Sequence, residues 1–294
     1  KMKSIEHNIK LPIPLPIPNG VIYNRKIQLY EHDGCKFELS PLPGLSSESF
    51  EEAKSQIKPL LYQIERINNF EHFDLRRPLF NLLQVNVELY SSVLFCLEQY
   101  LFKKLNIVYG QNKLDTHHFI PNLKNIEYPQ KANQFYKVKI GKYDVDFELE
   151  MIRTMLHDNP MIRLRLDANQ AFEGQSLKPY LEFLSNIDYF EEPFINMALY
   201  DGLKIPVAID ESMPQILTLL ENPHLDIKAL VYKPTLMGGF STAISLRLAP
   251  KLSSIPLVFS SCYEGKIGST AIKQLATYSD FIGPKARHGL ISIE

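Results

Sequence analysis

"IDYFEEPF", residues 187–194, is an apolar approach that ends in two adjacent carboxylates, Glu191 and Glu192, with Pro193 directly after them. A buried strand gains nothing from an unpaired acid at its tip, so the acids report on something beyond the strand. Similar runs recur on both sides: "HHFIPNL" (117–123), "QFYKVKIG" (134–141), "IRLRLDANQ" (162–170), "IPVAIDES" (205–212), "ALVYKPTLMGG" (229–239) and "IPLVFSSCYEG" (255–265). The polar residues ending six of these runs are Lys139, Asp167, Glu191, Asp210, Lys233 and Ser260, at steps of 28, 24, 19, 23 and 27 residues. Each step is the length of one strand–loop–helix–loop unit, and a succession of such units predicts a parallel (β/α) barrel. A last weak run, "DFIGPK" (280–285), is expected to close the series. No Gly-rich phosphate turn follows any strand, which argues against an open doubly wound sheet.

The first part of the chain has a different texture. "GVIYNRKIQLY" and "CKFELS" read as two strands joined through "EHDG", whose Asp–Gly pair suits a hairpin. "SPLPGLSSESFEEA" then gives a Pro–Gly loop and a helix start, with Ser47 or Ser49 at the cap and Glu51 and Glu52 in the first turn. Residues 53–106 read as helical, broken at "RRP" (76–78). The expected organisation is an α+β capping domain over 1–110 and a barrel over 111–294, with a C-terminal segment that can return to the cap.

Bulk properties narrow the function. The formal net charge is −1, so there is no global basic field for nucleic acid. No run reaches the roughly 18 consecutive apolar residues of a membrane span. The basic N-terminus lacks an apolar stretch because prolines interrupt it, so no secretory leader is expected. Three cysteines, Cys35, Cys96 and Cys262, have neither zinc spacing nor an even count, which fits a reducing cytoplasm. The expected partner is a small-molecule carboxylate, and the expected state is a monomer or small homo-oligomer.

In a barrel of this kind the chemistry sits at the C-terminal ends of the strands. Here those ends carry Lys137 and Lys139, then Asp167, Glu191 and Asp210, then Lys233. Taken singly each motif is bland: "DAN" is a turn, "EEP" a solvated strand end, "IDES" a helix cap and "KVK" an exposed strand face. Taken in order, three acids from consecutive strands can converge on one hard divalent cation, Mg²⁺ with Mn²⁺ as a substitute. Lys137 and Lys139 are two apart and so face the same side of a strand. Lys233 arrives from the far side of the acid arc. A lysine near a metal and a second cation can have its pKa lowered toward neutrality, which makes it a usable base. The metal would stabilise the enediolate formed when a proton α to a carboxylate leaves.

At this point the residues resemble a known group, the enolase superfamily in its muconate-lactonizing-enzyme-like branch. Within it, "SPLPGLSSESFEEA", "YKVKIG", "RLDANQAF", "FEEPF", "AIDES", "KPTLMGG" and "SSCYEG" are most similar to the o-succinylbenzoate synthases of menaquinone biosynthesis. The resemblance covers residues 20 to about 270. It implies an enolase-type modified (β/α)8 barrel with an N-terminal α+β cap, and a Mg²⁺-assisted lyase of the cytoplasm. The implied reaction dehydrates 2-succinyl-6-hydroxy-2,4-cyclohexadiene-1-carboxylate to 2-succinylbenzoate. By position it implies Asp167, Glu191 and Asp210 as metal ligands, with Asn169 and Glu192 supporting them from behind. Lys139 would be the base and then the acid, Lys137 would tune it, and Lys233 would stabilise the enediolate from the opposite face. Gly238, Gly239, Ser260, Ser261 and Cys262 would shape the site for the succinyl arm, although the family pattern usually has serine where Cys262 stands. Two rival readings are an N-succinylamino acid racemase or dipeptide epimerase, which needs the same two-lysine, three-acid site, and a non-catalytic binding protein on the same scaffold.

Overall fold

Two sheets order the chain. The computed structural model describes residues 2–17, 20–66, 89–107, 113–126, 134–202 and 204–291. The first sheet is an antiparallel meander of β1 (Lys3–Ile17), β2 (Gly20–His32) and β3 (Cys35–Leu39). Its β2–β3 turn is the expected Asp33–Gly34, and both residues have positive φ (49° and 74°), as a tight hairpin turn demands. Strand β1 had no counterpart in the sequence reading, because "KLPIPLPI" looks like a broken segment. Proline is tolerated on an edge strand, where its missing N–H faces solvent. The ladder accommodates the prolines by slipping: Lys10 pairs with Asn24, whereas Leu15 pairs with Ile22.

Helix α1 (Phe50–Glu65) starts at Ser49, which accepts from Glu52 N while the Glu52 side chain accepts from Ser49 N, a complete capping box. Its buried stripe of Ala53, Ile57, Leu60, Leu61 and Ile64 packs on Tyr30, Phe37 and Leu39 of the sheet. Helix α2 (Ser91–Lys104) is apolar on nearly all sides, which marks a helix buried between layers. One side, with Val93, Leu97 and Leu101, joins the cap core. The other presents Phe95 and Phe102, whose rings lie 5.8 and 4.5 Å from that of Phe240. The expected break at 76–78 lies outside the described residues.

The second sheet is parallel throughout, in the order β10-β9-β8-β7-β6-β5-β4. Its strands are β4 (His118–Ile120), β5 (Phe135–Lys139), β6 (Arg163–Asp167), β7 (Ile187–Glu191), β8 (Pro206–Ile209), β9 (Asp226–Tyr232) and β10 (Leu257–Phe259). Each falls inside a run picked from the sequence except β9, which starts three residues ahead of its run at 229. Among the described residues the full helices of the barrel are α3 (Val145–Asp158), α4 (Gly239–Leu248) and, after β10, α5 (Lys266–Ile282). The short step from Glu191 to Asp210 leaves room for a single 3₁₀ turn, Met197–Tyr200.

The expected closing strand is corrected by the structure. Residues 280–282 of "DFIGPK" end helix α5, whose apolar face of Ala271, Ile272, Leu275 and Ala276 runs at helical spacing. Closure falls to residues 288 and 289, which bridge Thr116 beside β4 and Ser260 beside β10. His288 N donates to Asp115 O (2.8 Å), His117 N donates to His288 O (3.1 Å) and Gly289 N donates to Phe259 O (2.9 Å). The buried His288 ring accepts from Phe259 N at 3.1 Å. These bonds join both edges of the seven-stranded sheet and make it a barrel, with Tyr189, Ala208, Ala229, Val231, Val258 and Ala286 buried together as a small separate core. Among the described residues no helix is long and apolar enough to cross a membrane.

Two carboxylates fix the cap on the barrel. Glu38 of β3 accepts from Gly265 N (2.8 Å) and Gly268 N (2.9 Å) at the start of α5. Glu98 of α2 accepts from Phe240 N, Ser241 N and the Ser241 hydroxyl at the start of α4. Each acid sits on a positive helix end. Gly239 explains why the second contact needs glycine: its φ is +67°, and an added Cβ would lie 2.3 Å from Glu98 Oε2 and 3.1 Å from Phe95 Cα. Gly239→Ala should therefore cost about 1–3 kcal/mol of stability from backbone strain and overpacking. Denaturant unfolding measures it, and an unchanged midpoint would show that the cap is not seated through this contact.

Candidate active site

The parallel register places the site. Lys139, Asp167 and Glu191 are direct register partners across β5, β6 and β7. Glu191 pairs with Ala208, Ile209 with Leu230, and Phe259 with Tyr232. Asp210, Lys233 and Ser260 therefore stand one residue beyond three further strand ends, on the same rim. Lys137 lies two residues below Lys139 on the same face of β5.

The contacts knit these groups together. Lys137 Nζ reaches Glu191 Oε1 at 2.6 Å and Asp167 Oδ2 at 2.9 Å. Lys139 Nζ is 2.6 Å from Asp167 Oδ2 and also donates to Asn169 Oδ1. Lys233 Nζ contacts Asp210 Oδ2. All three acids are buried, as is Lys137, while Lys139 and Lys233 keep partial access to solvent. Burial and the neighbouring Asp167 and Asp210 push Glu191 up to about 7. Burial also works against the Asp167 anion, but Lys137 and Lys139 outweigh it and hold that carboxyl below the usual range. A lysine with lowered pKa was expected; instead Lys137 and Lys233 are both raised. Burial opposes their charge, yet Asp167 and Glu191 overcome it at Lys137, and Asp210 and Glu211 at Lys233.

The second acid of "EEP" has a different task from the first. Glu192 has φ +44° and turns its carboxylate under the next loop. There it accepts from Asp210 N (2.8 Å), Ser212 N (3.1 Å), the Ser212 hydroxyl and Gln170 Nε2 (3.2 Å). It thus fixes the backbone that carries Asp210. Asn169, also at positive φ (+43°), donates through its amide to Glu211 Oε1 at 3.2 Å and accepts from Lys139. Left-handed non-glycine residues at 169, 170 and 192 gather at this rim, where the surrounding hydrogen bonds hold the strain in place.

The expected arm-binding residues divide. Ser260 N donates to Tyr232 O at 2.9 Å, and the Ser261 hydroxyl accepts from Ile291 N at 2.9 Å, which ties that tip to the closing segment. Cys262 is buried, its thiol pushed up to about 12 by burial and by Glu264, and its N–H donates to Glu264 Oε2 at 2.8 Å. Gly239 meets the cap helix, and Gly238, at φ +109°, links the turn after Lys233 to α4.

Three buried carboxylates from adjacent strands, one of them pushed up by the other two, have the chemistry of a hard-cation site. In the structure ammonium groups stand among them. Among the described residues the carboxylate and imidazole atoms grouped within 4.8 Å of one another belong instead to His32, Asp33 and Glu65 in the cap. Sequence reasoning missed Glu38, Glu98 and Glu211. A lone acid inside the apolar run "SSVLFCLEQYLF" was the available signal for Glu98.

Comparison with known proteins gives the family and the fold. The family described as "Enolase C-terminal domain-like" matches residues 128–286. The o-succinylbenzoate synthase of Vibrio cholerae serotype O1 is 28% identical over 288 residues, covering 89% of this chain and 82% of that protein. The L-Ala-D/L-Glu epimerase from Bacillus subtilis superposes with a TM-score of 0.76 at 18% identity, over 99% of this chain and 89% of its own. The o-succinylbenzoate synthase from Thermosynechococcus elongatus BP-1, solved with Mg in its active site, gives 0.69 at 20% identity over 98% and 92%. At such identities the two superpositions establish the fold alone.

Proposed function

The chain belongs to the enolase C-terminal domain-like family, and from that premise we propose that it is an o-succinylbenzoate synthase. The observation that carries the chemistry is the rim itself: Lys139, Asp167 and Glu191 in register, with Asp210 and Lys233 on the next strand ends. The relatives matched by sequence at 28% identity over most of the chain are synthases, which favours dehydration over racemisation.

Asp167, Glu191 and Asp210 would hold Mg²⁺, which when bound supplies positive charge to the substrate carboxylate. The remaining work belongs to the chain. Lys139, at the edge of the acid group, removes the proton α to that carboxylate. Lys233, across the rim, places its ammonium beside the negative charge that develops. Lys139 then delivers the proton to the departing hydroxyl. One C–H and one C–O bond break, a C=C bond forms, water leaves and the ring becomes aromatic. Lys137 stays between Asp167 and Glu191 and sets their spacing. Glu192 keeps Asp210 in place.

A second reading, racemase or epimerase, calls for the same lysines on both sides of the three acids, Lys139 and Lys233. Proton NMR in D₂O separates the two. A synthase uses one face and should convert the cyclohexadiene carboxylate with kcat/KM of about 10⁴–10⁸ M⁻¹s⁻¹. It should exchange the α-proton of N-succinylamino acids or dipeptides slowly or not at all. Racemisation with the higher kcat/KM would reverse the assignment.

A further inference from the structure

Arg25 of β2 is completely buried, yet two of its nitrogens, Nε and Nη1, have no hydrogen-bond partner. Nη2 donates to Ser40 O. Among the described residues no carboxylate lies within ion-pair distance of it: Glu38, in whose field it stands, spends its oxygens on Gly265 N and Gly268 N. Buried donors are almost always paired, so two on one guanidinium mark a site for an acceptor.

The strand geometry says where that acceptor comes from. Ile27 is two residues along and shares Arg25's face. A Cβ added at Gly265 would meet Ile27 Cδ1 at 2.8 Å. On the other side Ile22 packs in the cluster of Leu11 and Tyr263. This stretch of β2 therefore lies over the barrel tip that follows β10, residues 260–265. Cys262 in that tip is within the electrostatic reach of Lys233, Arg25 and Asp210 together. The cap thus brings a cation with no ion-pair partner to the barrel tip that follows β10, next to the strand end that carries Lys233.

We propose that Arg25 is the seat for the substrate's second carboxylate, the one at the end of the succinyl arm. This rests on the synthase reading, whose substrate carries two carboxylates: one beside the reacting C–H, one at the arm's end. Arg25 is then a specificity-determining residue supplied by the cap, and the cap makes the site selective for dianions.

Calorimetry on the Mg²⁺-loaded full chain tests this with 2-succinylbenzoate and its analogue whose arm ends in an amide. The wild type should bind the dicarboxylate about 10- to 100-fold more tightly, the range of a charge-assisted hydrogen bond. Arg25→Met should abolish the preference, and Arg25→Lys should keep part of it. Without ligand, Arg25→Met should melt no lower than wild type, since the two buried donors that nothing satisfies, Nε and Nη1, offset the one bond lost to Ser40 O. A preserved preference in Arg25→Met overturns the assignment. So does a lower melting temperature with equal loss for both ligands, because that is a structural role. Should the wild type not dehydrate the cyclohexadiene substrate, the synthase reading falls separately. Succinate and glutarate then decide the anion seat: they should raise the melting temperature of the wild type and leave Arg25→Met unmoved, and equal behaviour of the two proteins overturns it.

Discussion

Lys139→Ala should lower turnover of the cyclohexadiene carboxylate by about 10²–10⁴-fold, the range of general acid–base catalysis, and leave the fold intact. Lys139 is asked to serve twice, first as base and then as acid. Its side chain is 18% exposed, so it can meet a substrate, and its contact with Asp167 and Asn169 aims it along the rim. Lys137→Ala should behave differently. Lys137 is buried between Asp167 and Glu191 and touches both, so its loss leaves two buried acids without their shared cation. That defect should appear as a lower melting temperature in EDTA, relieved by Mg²⁺, with a smaller fall in kcat. Steady-state kinetics and melting curves on the two variants measure the contrast. Equal, mild losses of kcat would mean that the base lies elsewhere.

The parts of this molecule that could be read from its sequence are those whose signal is local. A parallel strand buried on both faces is a short apolar run, and the polar residue ending it marks the rim. That is why Asp167, Glu191, Asp210 and Lys233 could be placed before any coordinates. The capping box at Ser49 and Glu52 and the Asp33–Gly34 turn are also local. What could not be read depends on distance along the chain. Glu98 meets Phe240 across 142 positions and Glu38 meets Gly265 across 227. Nothing in "KPTLMGG" says that its second glycine makes room for a cap carboxylate. The closing segment escaped notice because two residues, 288 and 289, do the work of a strand. β1 escaped because prolines mask an edge strand. The directions of the lysine shifts depend on which charges crowd a buried group, and that is set by packing rather than by spacing.

Glu191→Gln should abolish turnover and Mg²⁺ binding while making the metal-free protein more stable. Glutamine keeps the shape and removes one of the carboxylate charges a hard cation needs. In the metal-free fold Glu191 is pushed from the ordinary carboxylate value up to about 7 by burial and by Asp167 and Asp210. A carboxyl whose folded pKa is raised binds its proton more tightly when folded. Its contribution is therefore present at acid pH and is lost as pH climbs from about 4.5 through 7. Glutamine imitates the protonated form at every pH. In EDTA the variant should match the wild type near pH 4.5 and exceed it above pH 7, by about 1–3 kcal/mol given the size of the shift. Adding Mg²⁺ should invert the order, because a ligand that binds only the folded state raises the melting temperature of the wild type and leaves the variant unmoved. Asp167→Asn and Asp210→Asn should share the loss of Mg²⁺ response, but Asp167→Asn should gain no stability in EDTA, since Lys137 and Lys139 already favour the Asp167 anion. Melting curves across pH with and without Mg²⁺, and calorimetric Mg²⁺ titrations, provide both readouts. Wild-type Mg²⁺ affinity in Glu191→Gln would remove Glu191 from the metal site, and a less stable variant in EDTA at pH 8 would show that Lys137 outweighs the two neighbouring acids.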